Sequence, residues 1–290
     1  MSGLLIAFKN YDGKDVIGSP WYGFTAFKEL LVGNYATIDN SFWKAFRNTF
    51  TLSFYSLLFG FPMPIILALL FSEIKNESYR SVLQVLSYLP KFVSLVVVTT
   101  LVKLMCSSGS VTAGTSGGPI TVLLQTLHLI GPNTKLMNQA EFFRPIYQIS
   151  GIWETAGYGS IVYFAAILSI SPTSYEAARM DGASKWAQIK YVTFPGIAST
   201  LTIMLILEIG KLLTVGYEKV MLLYNADTYE TADVISTFVM RLGGMGGGKD
   251  LGNIAKTIGS AADLFNSIIA MLLVIGSNTI ARRVSSTSLY

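Results

Sequence analysis

The sequence contains very little cysteine, histidine and charge, and each shortage excludes a class of protein. One cysteine, Cys106, and one histidine, His128, occur in 290 residues. An internal disulfide, a Cys/His zinc cluster and a Cys-His nucleophile are therefore excluded, and we expect both residues to serve in packing. Charged residues make up 13% of the chain, against roughly 25% in water-soluble proteins. This composition excludes most cytosolic enzymes, and no catalytic or metal site is predicted.

Hydrophobic residues make up 51% of the chain and predict a polytopic membrane protein. The 21 Lys and Arg residues only slightly outnumber the 17 Asp and Glu residues, and they are spread along the whole sequence. A nucleic-acid-binding surface gathers its basic residues into a patch or stripe. We therefore expect the lipid bilayer, and no nucleic acid, as a partner.

Long apolar stretches define the predicted membrane spans, because a membrane helix needs about 20 mostly apolar residues. Lys91 and Lys103 interrupt one of them, and Pro62 and Pro64 predict a kink in another. Too little polar chain is left to surround so many apolar helices in a soluble core. The five predicted spans lie at about residues 44–72, 79–105, 145–170, 193–220 and 260–281.

Lys and Arg in the short links set the predicted orientation, because such residues favour the cytoplasmic side. They place three segments in the cytoplasm: the link 72–80, the link 171–195 and the tail 283–290. The predicted transmembrane domain covers residues 42–282. The external side then holds the N-terminal segment 1–41 and the two glycine-rich loops Ser107–Gly118 and Leu242–Gly252.

The cytoplasmic link at residues 171–195 has two candidate helix starts. Thr173 and Glu176 have the spacing of a capping box, whereas Ser171 before Pro172 is a rival N-cap with proline at the first helical position. Either arrangement starts a helix between the third and fourth predicted spans.

The same link contains the signals of a second short helix. Gly182 ends the first helix, Ala183–Lys190 can form another, and Pro195 stands where the chain turns into the next span. The predicted result is an elbow of two helices that protrudes from the membrane. A solvated amphipathic connection is the alternative. Two features favour docking of a partner. The small side chains of Ala177 and Ala178 allow its surface to approach closely, and Glu176 offers a carboxylate to a basic group on it.

This elbow resembles the EAA motif, E-A-A-x3-G-x9-I-x-L-P, of permease subunits in binding-protein-dependent ABC importers. Glu176-Ala177-Ala178, Gly182 and Val192-Thr193-Phe194-Pro195 stand at the spacing of that motif. Val192 replaces isoleucine and Phe194 replaces leucine, both conservatively. The resemblance implies that Glu176, Ala177, Ala178 and Gly182 couple the chain to an ATPase.

Further phrases are similar to the oligosaccharide and polysaccharide branch of this family, which is related to the maltose-type permeases. They are Ile6–Tyr11, Gly18–Phe24, Asn48–Phe50, Phe143–Tyr147, Ile149–Trp153, Leu222–Asn225 and Ala232–Ile235. The resemblance implies an all-α integral membrane fold with a five-helix, MetI-like permease core. Subunits of this branch usually begin with one further membrane helix, which is absent here, and we expect the core to fold without it.

The resemblance also implies the partners and the location. They are a second permease subunit, an ABC ATPase dimer, an extracytoplasmic substrate-binding protein and a carbohydrate substrate. The expected location is the bacterial cell membrane, with several passes. The expected function is ATP-driven carbohydrate import, with ATP and magnesium on the ATPase and no cofactor on this chain. The only P-loop-like spacing, Gly243–Lys249, has Asp250 where Ser or Thr should bind magnesium, so we interpret it as a flexible external loop.

Charges inside predicted spans indicate a candidate substrate path, because a charge at a helix centre costs roughly 2.5 to 3.5 kcal/mol. Glu208 and Lys211 are three residues apart and are expected on one helical face. They form either a structural ion pair or a hydrogen-bonding station for sugar hydroxyls, with Trp153 and Tyr158 stacking on a sugar ring. An ion-coupled secondary transporter that uses intramembrane carboxylates is the alternative function.

Overall fold

The computed structural model describes residues 2–32, 41–109, 117–244 and 252–284, and the regular structure of these residues is helical. The expected all-α class is therefore confirmed. In chain order the α-helices are α1 Ser2–Ile6, α2 Thr25–Val32, α3 Ser41–Tyr55, α4 Pro62–Glu73, α5 Glu77–Phe92, α6 Leu95–Met105, α7 Pro119–Thr126, α8 Ala140–Leu168, α9 Pro172–Met180, α10 Lys185–Gln188, α11 Phe194–Gly196, α12 Ala198–Gly210, α13 Tyr217–Leu223, α14 Tyr229–Ala232, α15 Ile235–Leu242 and α16 Asn253–Val284. Wider π-helical turns occupy Ser56–Gly60 and Ile189–Thr193, and 3-10 turns occupy Leu136–Asn138 and Ala226–Thr228.

By length and composition, two helical stretches are able to cross a membrane, Phe42–Glu73 and Asn253–Arg282. The number in the described residues rises to five if each of three bent helix pairs counts as one span. These pairs are Glu77–Phe92 with Leu95–Met105, Ala140–Leu168 with Pro172–Met180, and Lys185–Gly196 with Ala198–Gly210. All five stretches overlap the apolar runs of the sequence.

Helix breaks distinguish these stretches from the predicted continuous spans. The second stretch bends by 99° between Phe92 and Leu95, just after Pro90, whose ring removes a backbone donor from the helix. The fourth bends by 68° at Ile197, and its last helix ends at Gly210 rather than near residue 220. In the first stretch the expected proline kink is replaced by the π turn Ser56–Gly60 directly before Pro62.

The structure divides into two compact units, the first formed by Met1–Phe54, Thr99–Tyr147 and Lys211–Leu272. Its largest apolar cluster joins α2, α3, α15 and α16 through Leu30, Phe42, Phe238 and Ile258. A second cluster centres on Leu52 and Val220. The N-terminal segment packs on α16 through a third cluster, in which Ala7 and Ala26 contact Ala261. Thr257 Oγ1 also donates a hydrogen bond to the Lys9 carbonyl.

The second unit is formed by Tyr55–Val98, Gln148–Gly210 and Leu273–Tyr290. Its apolar cluster joins α4 and α8 through Ile65, Ala68, Tyr163 and Ile167, with Ile197 from the link between α11 and α12. Ile170, directly before the elbow segment, packs against this cluster, so the start of the elbow is anchored in the apolar core of the unit.

The two residues expected in packing have different environments. Cys106 is buried, as predicted. The expectation for His128 is wrong, because its side chain is exposed and its backbone adopts a φ of 57° in the turn after α7.

Candidate functional site

The first helix of the elbow is α9, and it starts at the second of the two predicted positions. Ser171 is its N-cap and Pro172 occupies its first turn. Ser171 Oγ lies 2.7 Å from Thr173 Oγ1 instead of capping a backbone N–H. The capping box expected between Thr173 and Glu176 is therefore absent at this helix start, and the Glu176 side chain is exposed.

Gly182 shapes the bend between the two elbow helices. Its φ of +77° lies in the left-handed region that disfavours other side chains. The Ala183 N–H donates to the Ala178 carbonyl at 2.9 Å and the Gly182 N–H donates to the Arg179 carbonyl at 3.0 Å, the two bonds of a Schellman motif. The second helix, α10, then begins with Ser184, whose Oγ accepts from the Ala187 N–H.

The elbow is part of the second unit, and three polar contacts hold it: one joins it to α4 and two lie within it. Lys185 Nζ lies 2.5 Å from Glu73 Oε2 at the end of α4. Tyr175 Oη and Thr193 Oγ1 are 3.0 Å apart, which joins α9 to the π turn after α10. The Gln188 amide donates to the Ala183 carbonyl at 2.9 Å. The pair of Lys185 and Glu73 joins α10 to α4, and because both side chains are largely exposed it is a weak link.

The outer face of the elbow combines charge with exposed apolar side chains. The Met180 side chain is 88% exposed and the Trp186 side chain is 80% exposed. Large apolar side chains exposed next to each other indicate an interaction surface. Beside them lies a cleft of about 300 Å³ whose lining includes Glu176, Arg179 and Lys185. Exposed Trp and Met side chains next to paired charges are typical of a surface that a protein partner covers.

The candidate path residues Glu208 and Lys211 do not share a helix. Glu208 is partly buried in α12. Lys211 begins the turn that follows Gly210, and its carbonyl accepts from the Thr214 N–H at 2.8 Å. Helix α12 ends at Gly210, one residue before Lys211, and the pairing of the two charges stays a prediction.

Trp153 and Tyr158 both lie on α8 with exposed rings. Five residues apart, they project from different sides of the helix, so a single sugar ring cannot stack on both. Tyr158 contacts Phe92 edge to face, with ring centroids 5.9 Å apart.

Sequence reasoning missed the pairing of Lys91 with Glu154. Lys91 Nζ lies 3.7 Å from Glu154 Oε1, between the end of α5 and the middle of α8. A signal was present, because each of the two charges stands near the midpoint of a long apolar stretch. The separation of 63 positions along the sequence concealed that the two stretches meet.

A buried polar network in the first unit was also missed. The fully buried Asn48 donates to the carbonyls of Glu230 and Asp233, and its Oδ1 accepts from Arg144 at 3.0 Å. Asp233 is paired with Arg241 and accepts from Thr237 Oγ1 at 2.8 Å. Burial raises the pKa of Asp233, and the Arg241 guanidinium opposes that rise.

Parts of the predicted external loops and of the tail lie outside the described residues. They are 33–40 of the N-terminal segment, 110–116 of the first glycine-rich loop, 245–251 of the second, which holds most of the P-loop-like spacing, and 285–290 of the tail.

Comparison with known families identifies the class of protein to which the chain belongs. Residues 60–217, which include the whole elbow, match the family described as "Binding-protein-dependent transport system inner membrane component". The chain belongs to this family. It is accordingly a transport component of the cell membrane rather than an enzyme, and the expected membership of the permease family is confirmed.

Individual members of the family match the chain over its full length. Protein LplB of Bacillus subtilis strain 168 is 34% identical over 293 residues, covering 100% of this chain and 85% of the relative. The polygalacturonan/rhamnogalacturonan transport system permease protein YteP of the same organism is 32% identical, covering 100% of this chain and 84% of the relative.

Solved structures are similar in fold as well as in sequence. One is a bacterial ABC transporter involved in the import of the acidic polysaccharide alginate, with a TM-score of 0.81 and 41% identity over 98% of this chain and 88% of that chain. Another is a bacterial alginate ABC transporter in complex with a periplasmic protein that holds an alginate pentasaccharide, with a TM-score of 0.81 and 40% identity over 99% of this chain and 88% of that chain. The five-helix permease core expected from the sequence is therefore the fold of this chain.

Proposed function

We propose that this chain is the transmembrane permease subunit of an ATP-driven importer of oligosaccharides or polysaccharides, and that it forms half of the translocation path. Family membership supports the transport role. The carbohydrate assignment is supported by YteP, which is named for polygalacturonan and rhamnogalacturonan transport, and by the alginate importer structures. An ion-coupled carrier would need no exposed elbow.

The proposed assembly contains three further kinds of subunit. A second permease completes the path, two ABC ATPases bind ATP and magnesium, and an extracytoplasmic binding protein delivers the sugar. The alginate transporter in complex with a sugar-loaded periplasmic protein supports the last of these. This chain contributes the surface and the path, and it holds no cofactor of its own.

The exposed elbow is the observation on which the proposal rests. Glu176 offers a carboxylate to a basic group of the ATPase, and Met180 and Trp186 offer apolar area around it. Because the elbow is part of the second unit and Lys185 contacts Glu73 of α4, we expect ATPase closure to be passed on to that unit through the elbow. The proposed cycle has an inward-open and an outward-open state. Shifting their populations from 99:1 to 1:99 takes about 5.5 kcal/mol, which the elbow would have to transmit from the ATPases to the spans.

The proposed substrate path uses charged and aromatic groups within the spans. Glu208 and Lys211 would hydrogen-bond sugar hydroxyls, and Trp153 and Tyr158 would each stack on a different sugar ring of a chain-like substrate.

Copurification in detergent tests the docking role. The chain is expressed with its neighbouring genes, either native or as Glu176→Lys, and the recovered ATPase is quantified. Reversing the charge replaces a charge-assisted contact by repulsion, so we expect at least about a tenfold loss of ATPase. Glu77→Lys is the matched control, because Glu77 is also exposed but lies outside the elbow, where it pairs weakly with Arg80.

The result is decisive in either direction. Loss of the ATPase from Glu176→Lys but not from Glu77→Lys supports docking through the elbow. If no ATPase accompanies even the native chain, the proposal is wrong, and ion-coupled transport through intramembrane carboxylates becomes the hypothesis to test.

A further inference from the structure

An ion pair lies in the middle of two membrane-length stretches of the second unit. Lys91 is midway along Glu77–Met105 and Glu154 is midway along α8. The Lys91 side chain is 41% exposed and the Glu154 side chain is 15% exposed. By length and composition both stretches are candidate membrane spans. Because a charge in hydrocarbon costs several kcal/mol, a position in which the exposed part of Lys91 faces water or another protein surface is favoured over one that faces lipid.

A rigid helix crossing holds the pair in place. A Cβ added at Gly157 would lie 1.9 Å from the Ser87 carbonyl oxygen, so the backbones of α5 and α8 touch at this point. Lys91 lies one turn after Ser87, and Glu154 lies just under one turn before Gly157. The two charges therefore meet directly beside the crossing, where neither helix can shift by much.

The helix break between Phe92 and Leu95 leaves non-helical backbone directly after Lys91. Helix α5 ends at Phe92 and the chain turns by 99° before α6. Interrupted membrane helices are tolerated where they border a cavity, and they commonly form solute sites near the bilayer centre. The break adjoins Lys91, which places a cation and irregular backbone at one position.

Exposed aromatic rings adjoin the cation. Phe92 is adjacent to Lys91 in sequence and Tyr158 lies one turn after Glu154, and their rings contact each other edge to face. Both rings are exposed on the described surface of this chain. Ligand sites typically combine aromatic walls with a few charged or polar groups that fix orientation. A cation beside two aromatic rings suits a sugar that bears a carboxylate.

We propose that Lys91 is the carboxylate-binding group of this path, that it takes a uronate of an acidic oligosaccharide, and that Glu154 holds it when no sugar is present. This inference rests on the proposed function and deepens it by naming the substrate class. The distance of 3.7 Å is too long for a direct hydrogen bond, so an entering carboxylate can take over the ammonium without breaking one. A weak resting contact also suits transport, because a solute must leave the site as readily as it enters.

Charge-matched probes test the inference on the assembled importer in proteoliposomes with its binding protein. The probes are trigalacturonate and an alginate trisaccharide, each as the free acid and as the neutral methyl ester. The variants are Lys91→Gln, Lys91→Arg and the control Lys103→Gln, which removes another lysine of the same bent stretch. We expect Lys91→Gln to lower the ratio of acid to ester uptake about tenfold, Lys91→Arg to recover most of it, and Lys103→Gln to leave it unchanged.

Two outcomes overturn the inference. One is an acid-to-ester ratio that Lys91→Gln does not alter, whether both uptakes stay the same or fall equally, and the other is a native importer that carries neither acid probe. Failure of the proposed function has a different signature, because the native chain would then copurify with no ATPase and take up no saccharide of any charge. An importer that carries only neutral sugars would leave the proposed function standing and remove this inference alone.

Discussion

Asp233 carries a buried carboxyl group in the first unit, and the residue is only 4% exposed. Burial raises its pKa above the usual value, while the Arg241 guanidinium and the Thr237 hydroxyl act in the opposite direction. A raised pKa means that the folded chain binds the proton more tightly than the unfolded chain. The stability from this proton is therefore fully present below the unfolded-state pKa and is lost as the pH rises through the folded-state pKa.

Arg241→Met should expose this dependence. Without the guanidinium the pKa of Asp233 rises further, and its ionised form becomes an unpaired buried charge that costs about 3 kcal/mol. We expect the melting temperature in detergent to fall, and to fall more at pH 8 than at pH 5, because protonation relieves the unpaired charge at the lower pH. The double variant Asp233→Asn with Arg241→Met removes the titrating group and should lose the pH difference. An equal fall at both pH values for Arg241→Met alone would contradict this account.

Helices and their ends were predictable to different degrees. Local signals identified the start of α9, because proline at the first helical position and its N-cap are adjacent in sequence, and they identified its end at Gly182. The 99° break after Phe92 and the end of α12 at Gly210 were not predicted. Hydropathy reports only that a stretch prefers an apolar environment, and it contains no information on where a helix is interrupted.

The elbow bend should depend on Gly182 through its backbone alone. A Cβ at this position would meet no atom within 4 Å, so only the φ of +77° penalises other residues. We expect Gly182→Val to cost about 1 to 2 kcal/mol and to speed tryptic cleavage after Arg179 and Lys185 on either side of the bend. Gly182→Asn should be milder, since Asn tolerates left-handed φ values.

A matched control separates strain from added bulk. Gly216 also has no neighbour within 4 Å but has a φ of −63°, so Gly216→Val adds the same side chain without left-handed strain. Cleavage at the elbow should be unchanged in that variant. If Gly182→Val is cleaved no faster than Gly216→Val, the bend does not depend on the left-handed glycine.

In the proposed importer the whole chain has to combine a rigid docking elbow with a path that binds its substrate only weakly. In this importer the elbow has to be rigid to transmit force, and a Schellman turn, an N-cap and the contact of Lys185 with Glu73 hold it. The proposed path has to bind sugar weakly and reversibly, and the arrangement of its charges was the hardest part to predict from the sequence. The spacing of Glu208 and Lys211 predicts helical neighbours, but it does not predict that helix α12 ends at Gly210, directly before Lys211. Pairings such as Lys91 with Glu154 arise only when separate stretches pack, so no local pattern encodes them.

The role of Glu208 and Lys211 in transport is separable from a role in folding. Replacing them together by Gln and Met removes both charges while keeping similar side-chain volumes, so the chain should still assemble with its partners. If the two residues hydrogen-bond sugar hydroxyls, uptake of every saccharide should fall at least about tenfold, with acid and ester forms affected alike, because hydroxyls are common to both. That pattern differs from the charge-selective loss expected for Lys91→Gln. Unchanged uptake with intact assembly would remove Glu208 and Lys211 from the path, and loss of assembly would assign them to the fold.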